Sequence, residues 1–184
     1  MNLESQKLIA PIVDTQRQLV VQATAACLAR AEALYQRRFP NIPIYFDLRG
    51  RAAGMYRVYR GTRLIRYNAH IFAKYFADGL AQTVPHGVAH YVTDLIYGLR
   101  KVRPHGPEWR RIVVALGGTA RATANYDLSG IPRRQQAVYD YRCACTQHQI
   151  GARRHARVQR GEGAYRCRRC RAALEFCGDD AGGA

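Results

Sequence analysis

Residues 83–98 read TVPHGVAHYVTDLIYG. Apolar residues recur at helical spacing, Pro85 suits a first helical turn, and Gly98 stands where a helix would be capped. His86 and His90 are four apart. A helix therefore puts both imidazoles on one face, one turn apart, within reach of a shared Zn²⁺. Where this spacing serves hydrolysis, a glutamate follows the first histidine and acts as general base. Here that position is Gly87. Glycine is about 1 kcal/mol worse than alanine inside a helix, so helix stability does not account for it.

Two histidines four apart also occur by chance, and a third ligand from another segment strengthens the reading. RPHGPEW, residues 103–109, supplies His105 at the entrance of a further helix. Three protein ligands plus a water describe a catalytic-type zinc. Asp94 lies one turn further along the His86–His90 stripe. It does not easily reach an ion held by those two and reads as an acid behind the ligands or at the surface. Glu108, just after His105, is the nearest other acid by motif and a weak substitute for the missing base.

Upstream, TQRQLVVQATAACLARAEALYQRRF (15–39) predicts one long amphipathic helix ended by PNIP, with Cys27 as a small core residue. IPIYFDL, MYRVY and RLIRYN alternate with period two and predict a small, mostly antiparallel sheet. HIFAKYFADGLAQTV resumes a helical pattern, and PEWRRIVVALGG predicts a third helix between a proline and two glycines. Residues 121–138 read as a polar connector. The fold class is α+β.

From Tyr139 the composition shifts to Cys, Arg and Tyr. YRCACTQH (141–148) and YRCRRC (165–170) echo one another. Cys167 and Cys170 form a Cys-x-x-Cys knuckle, and two such hairpin tips facing each other make a closed, structural zinc site. The first knuckle offers Cys143, Cys145 and His148 for two places: the echo favours Cys143, the two-residue gap favours Cys145 with His148. Cys177 stands outside both pairs. Between the knuckles run Arg153, Arg154, Arg157 and Arg160, and Arg168 and Arg169 follow. A zinc-held loop carrying these guanidinium groups suits phosphate contacts, with tyrosines nearby to stack on bases. No base-reading helix is evident, so binding would be independent of sequence. His155 reads as a surface residue.

The composition agrees. The 184 residues are 48% hydrophobic, as in a globular protein, and carry 29 Lys+Arg against 13 Asp+Glu, a formal net charge of +16. That balance points to a polyanionic partner, nucleic acid first. No run of 18 apolar residues indicates a membrane span, and the first residues do not form a secretion signal. A cytoplasmic location is expected, where six cysteines serve as metal ligands or thiols rather than disulfides.

Taken together, TVPHGVAHYVTDLIYG, RPHGPEW and the C-terminal cysteine segment resemble the bacterial SprT family of zinc-metalloprotease-like proteins. The resemblance covers roughly residues 15–177, with the motifs in family order. It implies a minimal zincin over residues 1–138, a zinc-ribbon-like segment over 139–177, and a disordered tail over 178–184. His86, His90 and His105 fall on the family's zinc ligands, and Gly87 on its general base. Two zinc ions are implied. Eukaryotic relatives cleave proteins crosslinked to DNA, and transcription elongation has also been linked to the family. DNA-bound proteins are thus the implied substrates, and a bacterial cytoplasm with nucleoid association the implied location. Gly87 leaves three explanations: a natural pseudo-enzyme, a substitution particular to this chain, or rescue by another carboxylate. The alternative to an impaired protease is a non-catalytic, zinc-dependent nucleic-acid-binding or transcription-associated module.

Overall fold

The alanine-rich stretch forms helix α1, Asp14–Tyr35. It ends four residues before the expected boundary because Gln36 turns left-handed, with φ of 47°. Its inward stripe is Val20, Thr24, Leu28 and Ala31, but its outer face keeps Leu19, Val21 and Leu34 exposed. The helix is thus one-sided by packing and not by polarity, a departure from the amphipathic expectation. The computed structural model describes residues 8–132 and 137–178, and the chain divides between residues 133 and 134 into two units.

In the first unit, β1 (Ile44–Tyr45) pairs parallel to β3 (Thr62–Tyr67), and β2 (Gly54–Tyr59) pairs antiparallel to β3. The order β1-β3-β2 leaves β2 at an edge. Alternation sends Tyr56, Ile65 and Tyr67 inward, where Ile65 and Tyr67 are fully buried. The buried Tyr67 hydroxyl is satisfied by Thr24 Oγ1 of α1 at 3.0 Å.

The helical pattern over 70–84 does not give one helix. It breaks into α2 (Ala69–Lys74), capped by the Asn68 side chain, then the one-turn α3 (Phe76–Asp78) and a π-helical turn over Gly79–Thr83. Then α4 runs Val84–Tyr97, with Pro85 in its first turn and Gly98 as its cap, and α5 runs Pro107–Ala115. α4 packs against α1, α5 and β2, which makes it the centre of the unit. The expected polar connector is partly packed. Leu128 and Ile131 are buried with Ala53 and Ile71, and Lys74 holds Asp127 at 2.7 Å. Residues 133–136 of that segment lie outside the described residues, as do residues 179–184 of the expected disordered tail.

In the second unit, β4 (Val138–Arg142) is flanked by β5 (Gln147–Gly151) and β6 (Glu175–Phe176), both antiparallel. The arginine-bearing stretch, read as a loop from sequence, is instead helix α6, Ala152–Gln159. His155 is likewise not a free surface group. Its ring stacks on Tyr139 at 3.6 Å, and its Nδ1 lies 3.1 Å from the Tyr141 hydroxyl. Among described residues the buried apolar set here is only Tyr141, Ile150 and Cys167, too small a core to hold a fold by itself. No helix among the described residues is long and apolar enough to cross a membrane.

Candidate metal centres and the cleft

α4 carries His86 and His90 one turn apart, and the turn before α5 brings His105 to meet them. The three Nε2 atoms lie 3.1, 3.0 and 3.2 Å from one another. Hydrogen bonding cannot satisfy this triangle. Each Nε2 is either N–H or bare, so around three atoms at least one pair must be alike. A cation accepting three lone pairs removes the conflict, and donors ~2.0–2.1 Å from a tetrahedral ion lie ~3.3 Å apart. The donor set therefore fits zinc.

His105 reaches this position through an unusual backbone. Its φ is 57°, the left-handed region, in a turn closed by Gly106 N–H donating to the Arg103 carbonyl at 2.9 Å. Arg110 Nε donates to the His105 carbonyl at 3.1 Å and fixes the turn from the α5 side. Trp109, 1% exposed, packs beneath all three imidazoles with ring centroids 4.7, 5.3 and 4.6 Å from those of His86, His90 and His105. Burial first, and then the neighbouring imidazoles, push the His86 ring down to about 4 and the His90 ring down to about 3. Burial, then the Arg110 guanidinium, lower His105 as well. All three are neutral near pH 7, with lone pairs free for a metal.

The triangle opens into a cleft of about 340 Å³, lined among others by Gly54, Met55 and Tyr56 of β2 and by Leu99, Val102 and Pro104 of the loop after α4. Asp94 is the one carboxylate among the lining residues, and it is fully engaged. It accepts from the Tyr56 hydroxyl and Arg63 Nε, both at 2.6 Å, and from Leu99 N–H at 3.0 Å. Burial opposes its charge, but these donors outweigh it and hold its carboxyl below the usual range. At 6% exposure it is a buried, ion-paired group, so the alternative of a surface acid is set aside. Glu108 does not line the cleft. Its Oε2 lies 3.2 Å from where a Cβ on Gly106 would stand, folded toward its own turn.

Gly87 is buried in α4 facing the sheet. A Cβ built there would meet Ile65 Cγ2 at 3.5 Å, Ile65 Cδ1 at 3.7 Å and the Tyr67 hydroxyl at 3.8 Å, all ordinary contacts. Nothing in the packing demands glycine at this position.

In the second unit, the turn between β4 and β5 and the Cys167–Cys170 turn bring four sulfurs together. The ligand atoms of Cys143, Cys145, Cys167 and Cys170 all lie within 4.8 Å of one another and could hold a metal ion. Cys143–Cys145 and Cys145–Cys167 are 3.5 and 3.7 Å apart, against ~3.8 Å for thiolates ~2.3 Å from a tetrahedral ion. His148 Nε2 sits 3.2 Å from Cys143 Sγ, beside the sulfur cluster. Cys177 is not part of the group. On α6, Arg153, Arg154 and Arg157 are exposed, whereas Arg160 is clasped by Glu162 at 2.7 and 2.9 Å.

Tyr56 and Trp109 were given no role by sequence reasoning. The alternation of β2 pointed Tyr56 inward and could have flagged it. Trp109 stood in the quoted RPHGPEW, but only the fold places it under the imidazoles.

The molecule is thus an α+β protein with an open three-histidine group and a separate four-cysteine group, either able to hold a metal. The SprT-like family model matches residues 24–129. Protein SprT of Vibrio parahaemolyticus is 35% identical over 158 residues, 85% of this chain and 92% of that protein. Protein SprT of Pseudomonas paraeruginosa is 36% identical over 84% of this chain and 92% of its own length, and that of Shewanella oneidensis 34% over 86% and 97%. The chain belongs to the SprT-like family. No solved structure matches it significantly.

Proposed function

We infer that the first unit is a zincin-type metallopeptidase domain that binds zinc and a polypeptide but is catalytically impaired, and that the second is a zinc ribbon that docks on nucleic acid. The observation that carries this reading is the pairing of an intact histidine triangle with a glycine at the general-base position. His86, His90 and His105 would hold the first ion, and Cys143, Cys145, Cys167 and Cys170 the second. Bound there, a zinc would supply Lewis-acid chemistry at the cleft.

The chain's own residues supply binding and exclusion. β2 is an edge strand, so its free backbone groups can pair with an extended peptide laid along the cleft. Met55, Leu99, Val102 and Pro104 give that cleft apolar walls, and Trp109 fixes the imidazoles. What is missing is a proton acceptor. Asp94 is committed to Tyr56 and Arg63, Glu108 is not among the cleft residues, and Gly87 has no side chain. General acid–base assistance is worth ~10²–10⁴-fold in rate, so cleavage should be slow by about that factor.

Arg153, Arg154 and Arg157 on α6 are exposed and have no ion-pair partner among the described residues, although Arg157 Nε donates to the Glu162 carbonyl at 3.0 Å; this supports substrates held on or near nucleic acid. Phosphate contacts by these arginines carry no sequence information, so the binding they supply is independent of sequence. The same Gly87 favours a second reading, a silent zinc-dependent nucleic-acid-binding module.

Gly87→Glu decides between them. With purified, zinc-loaded protein and a protein substrate presented with single-stranded DNA, the substitution is expected to raise cleavage by ~10²-fold or more. No cleavage after the glutamate is restored, with zinc still bound, would leave the silent module. Robust cleavage by the glycine protein would overturn the impairment.

A further inference from the structure

One face of the first unit's sheet carries a pattern that the metal centres do not use. Pairing puts Tyr45 beside Arg66, Arg66 beside Met55, Arg57 beside Leu64, and Tyr59 beside Thr62, all on the side opposite the core. That side is open at Tyr45, 50% exposed, and at Tyr59, 49% exposed, whereas Met55 also lines the cleft of the histidine site. Between residues 45 and 66 the chain places Arg49, Arg51, Arg57, Arg60, Arg63 and Arg66 against the single acid Asp47. Asp47 is taken by Arg66 at 2.7 Å, and Arg63 is turned inward to Asp94. Arg57 and Arg60 have no ion-pair partner among the described residues.

Instead, both lie on Tyr59. The Arg57 guanidinium carbon is 4.7 Å from the Tyr59 ring centroid and that of Arg60 5.4 Å. This stacks planar cations on an exposed aromatic ring, with N–H edges left to donate outward. Arg60 also sits at the hairpin turn with φ of 48°, ahead of Gly61 at 81°. Asn or Gly is the cheaper residue at that turn position, so the arginine is held against backbone preference.

We propose that this sheet face is a binding surface for single-stranded nucleic acid, with bases stacking on Tyr59 and Tyr45 and phosphates meeting Arg57 and Arg60. Charge complementarity selects a polyanion, and the exposed rings select one with unstacked planar groups. An acidic peptide would satisfy the arginines but leave the rings unused. The surface shares its ligand class with the α6 arginines and none of their residues. It requires neither zinc nor proteolysis.

The test uses the full zinc-loaded chain carrying Arg153→Ala, Arg154→Ala and Arg157→Ala, so that residual binding of a labelled oligothymidine reports other surfaces. Tyr59→Ala in that background is expected to weaken residual binding ~10-fold. Arg57→Ala with Arg60→Ala should flatten the log affinity against log salt slope by ~1.4, at ~0.7 per phosphate contact on single strands. Tyr59→Trp adds a stacking probe, because the chain's one tryptophan, Trp109, is buried. The fluorescence of the introduced indole should be quenched by oligothymidine and not by polyglutamate. Absence of residual binding, or residual binding untouched by the sheet variants, overturns the proposal. A salt effect without quenching in Tyr59→Trp, and with Tyr59→Ala neutral, also overturns it and leaves a solvated charged face. A chain silent in proteolysis can still pass, so this outcome is separate from the fate of the protease reading.

Discussion

Gly87→Ala isolates what glycine does in α4. The Cβ meets Ile65 and Tyr67 at 3.5–3.8 Å, so it fills space without moving a neighbour. Removing a helix-interior glycine contributes ~0.8–1.0 kcal/mol, and a buried methyl up to ~0.8 kcal/mol more. An apolar group beside the Tyr67 hydroxyl offsets part of this, although that hydroxyl keeps its Thr24 partner. The net expectation is stabilisation of about 1–1.5 kcal/mol, or a rise of ~3–5 °C in Tm for a chain of this size. Urea unfolding of the zinc-loaded protein, followed by far-ultraviolet circular dichroism, should shift its midpoint upward at constant slope. Gly87→Glu should be less stable than Gly87→Ala, because its carboxylate is placed in a largely buried site. Alanine should leave cleavage unchanged, since it supplies no base. Destabilisation by alanine would refute the reasoning and show that the space over Ile65 is needed open.

Other perturbations read the supports of the site. Trp109→Ala should cost ~3–5 kcal/mol by cavity formation and loosen all three imidazoles, seen as lower Tm and faster zinc loss to a chelator. Asp94 has a carboxyl pKa below its unfolded value, so its contribution is present above about pH 4 and disappears as pH falls through the folded value. Acid unfolding should therefore be blunted in Asp94→Ala, which should itself be ~2 kcal/mol less stable at pH 7 by urea titration. Cys167→Ser should lose the second unit's ordered signals in NMR spectra while leaving those of α4 and α5, because the ribbon's apolar core is too small to hold it.

Parts of this site were legible because they rest on local periodicity. The four-residue spacing of His86 and His90 means one thing on a helix, and Pro85 and Gly98 bounded that helix. The Cys167–Cys170 knuckle is equally local. The choice at the first knuckle was not legible: Cys143, Cys145 and His148 lie within six residues, and only the β4–β5 turn brings both sulfurs to the cluster and leaves the imidazole beside Cys143. Nor was the left-handed His105, since histidine adopts that conformation only when surroundings impose it. The break of the 70–84 pattern at Tyr75 and the π turn follows from packing, not spacing. The Arg153–Arg157 run misled as a loop because its charge concealed helix formers that cap the ribbon with His155.

The central claim is that His86, His90 and His105 hold a zinc ion distinct from that of the cysteine cluster. Metal analysis of the folded chain by inductively coupled plasma mass spectrometry, beside His86→Ala and Cys167→Ser, tests it most directly. The expected stoichiometry is two zinc ions in the parent chain, one in His86→Ala with the cysteine ion retained, and one in Cys167→Ser with the histidine ion retained. A parent chain holding a single zinc that His86→Ala leaves untouched would contradict the account.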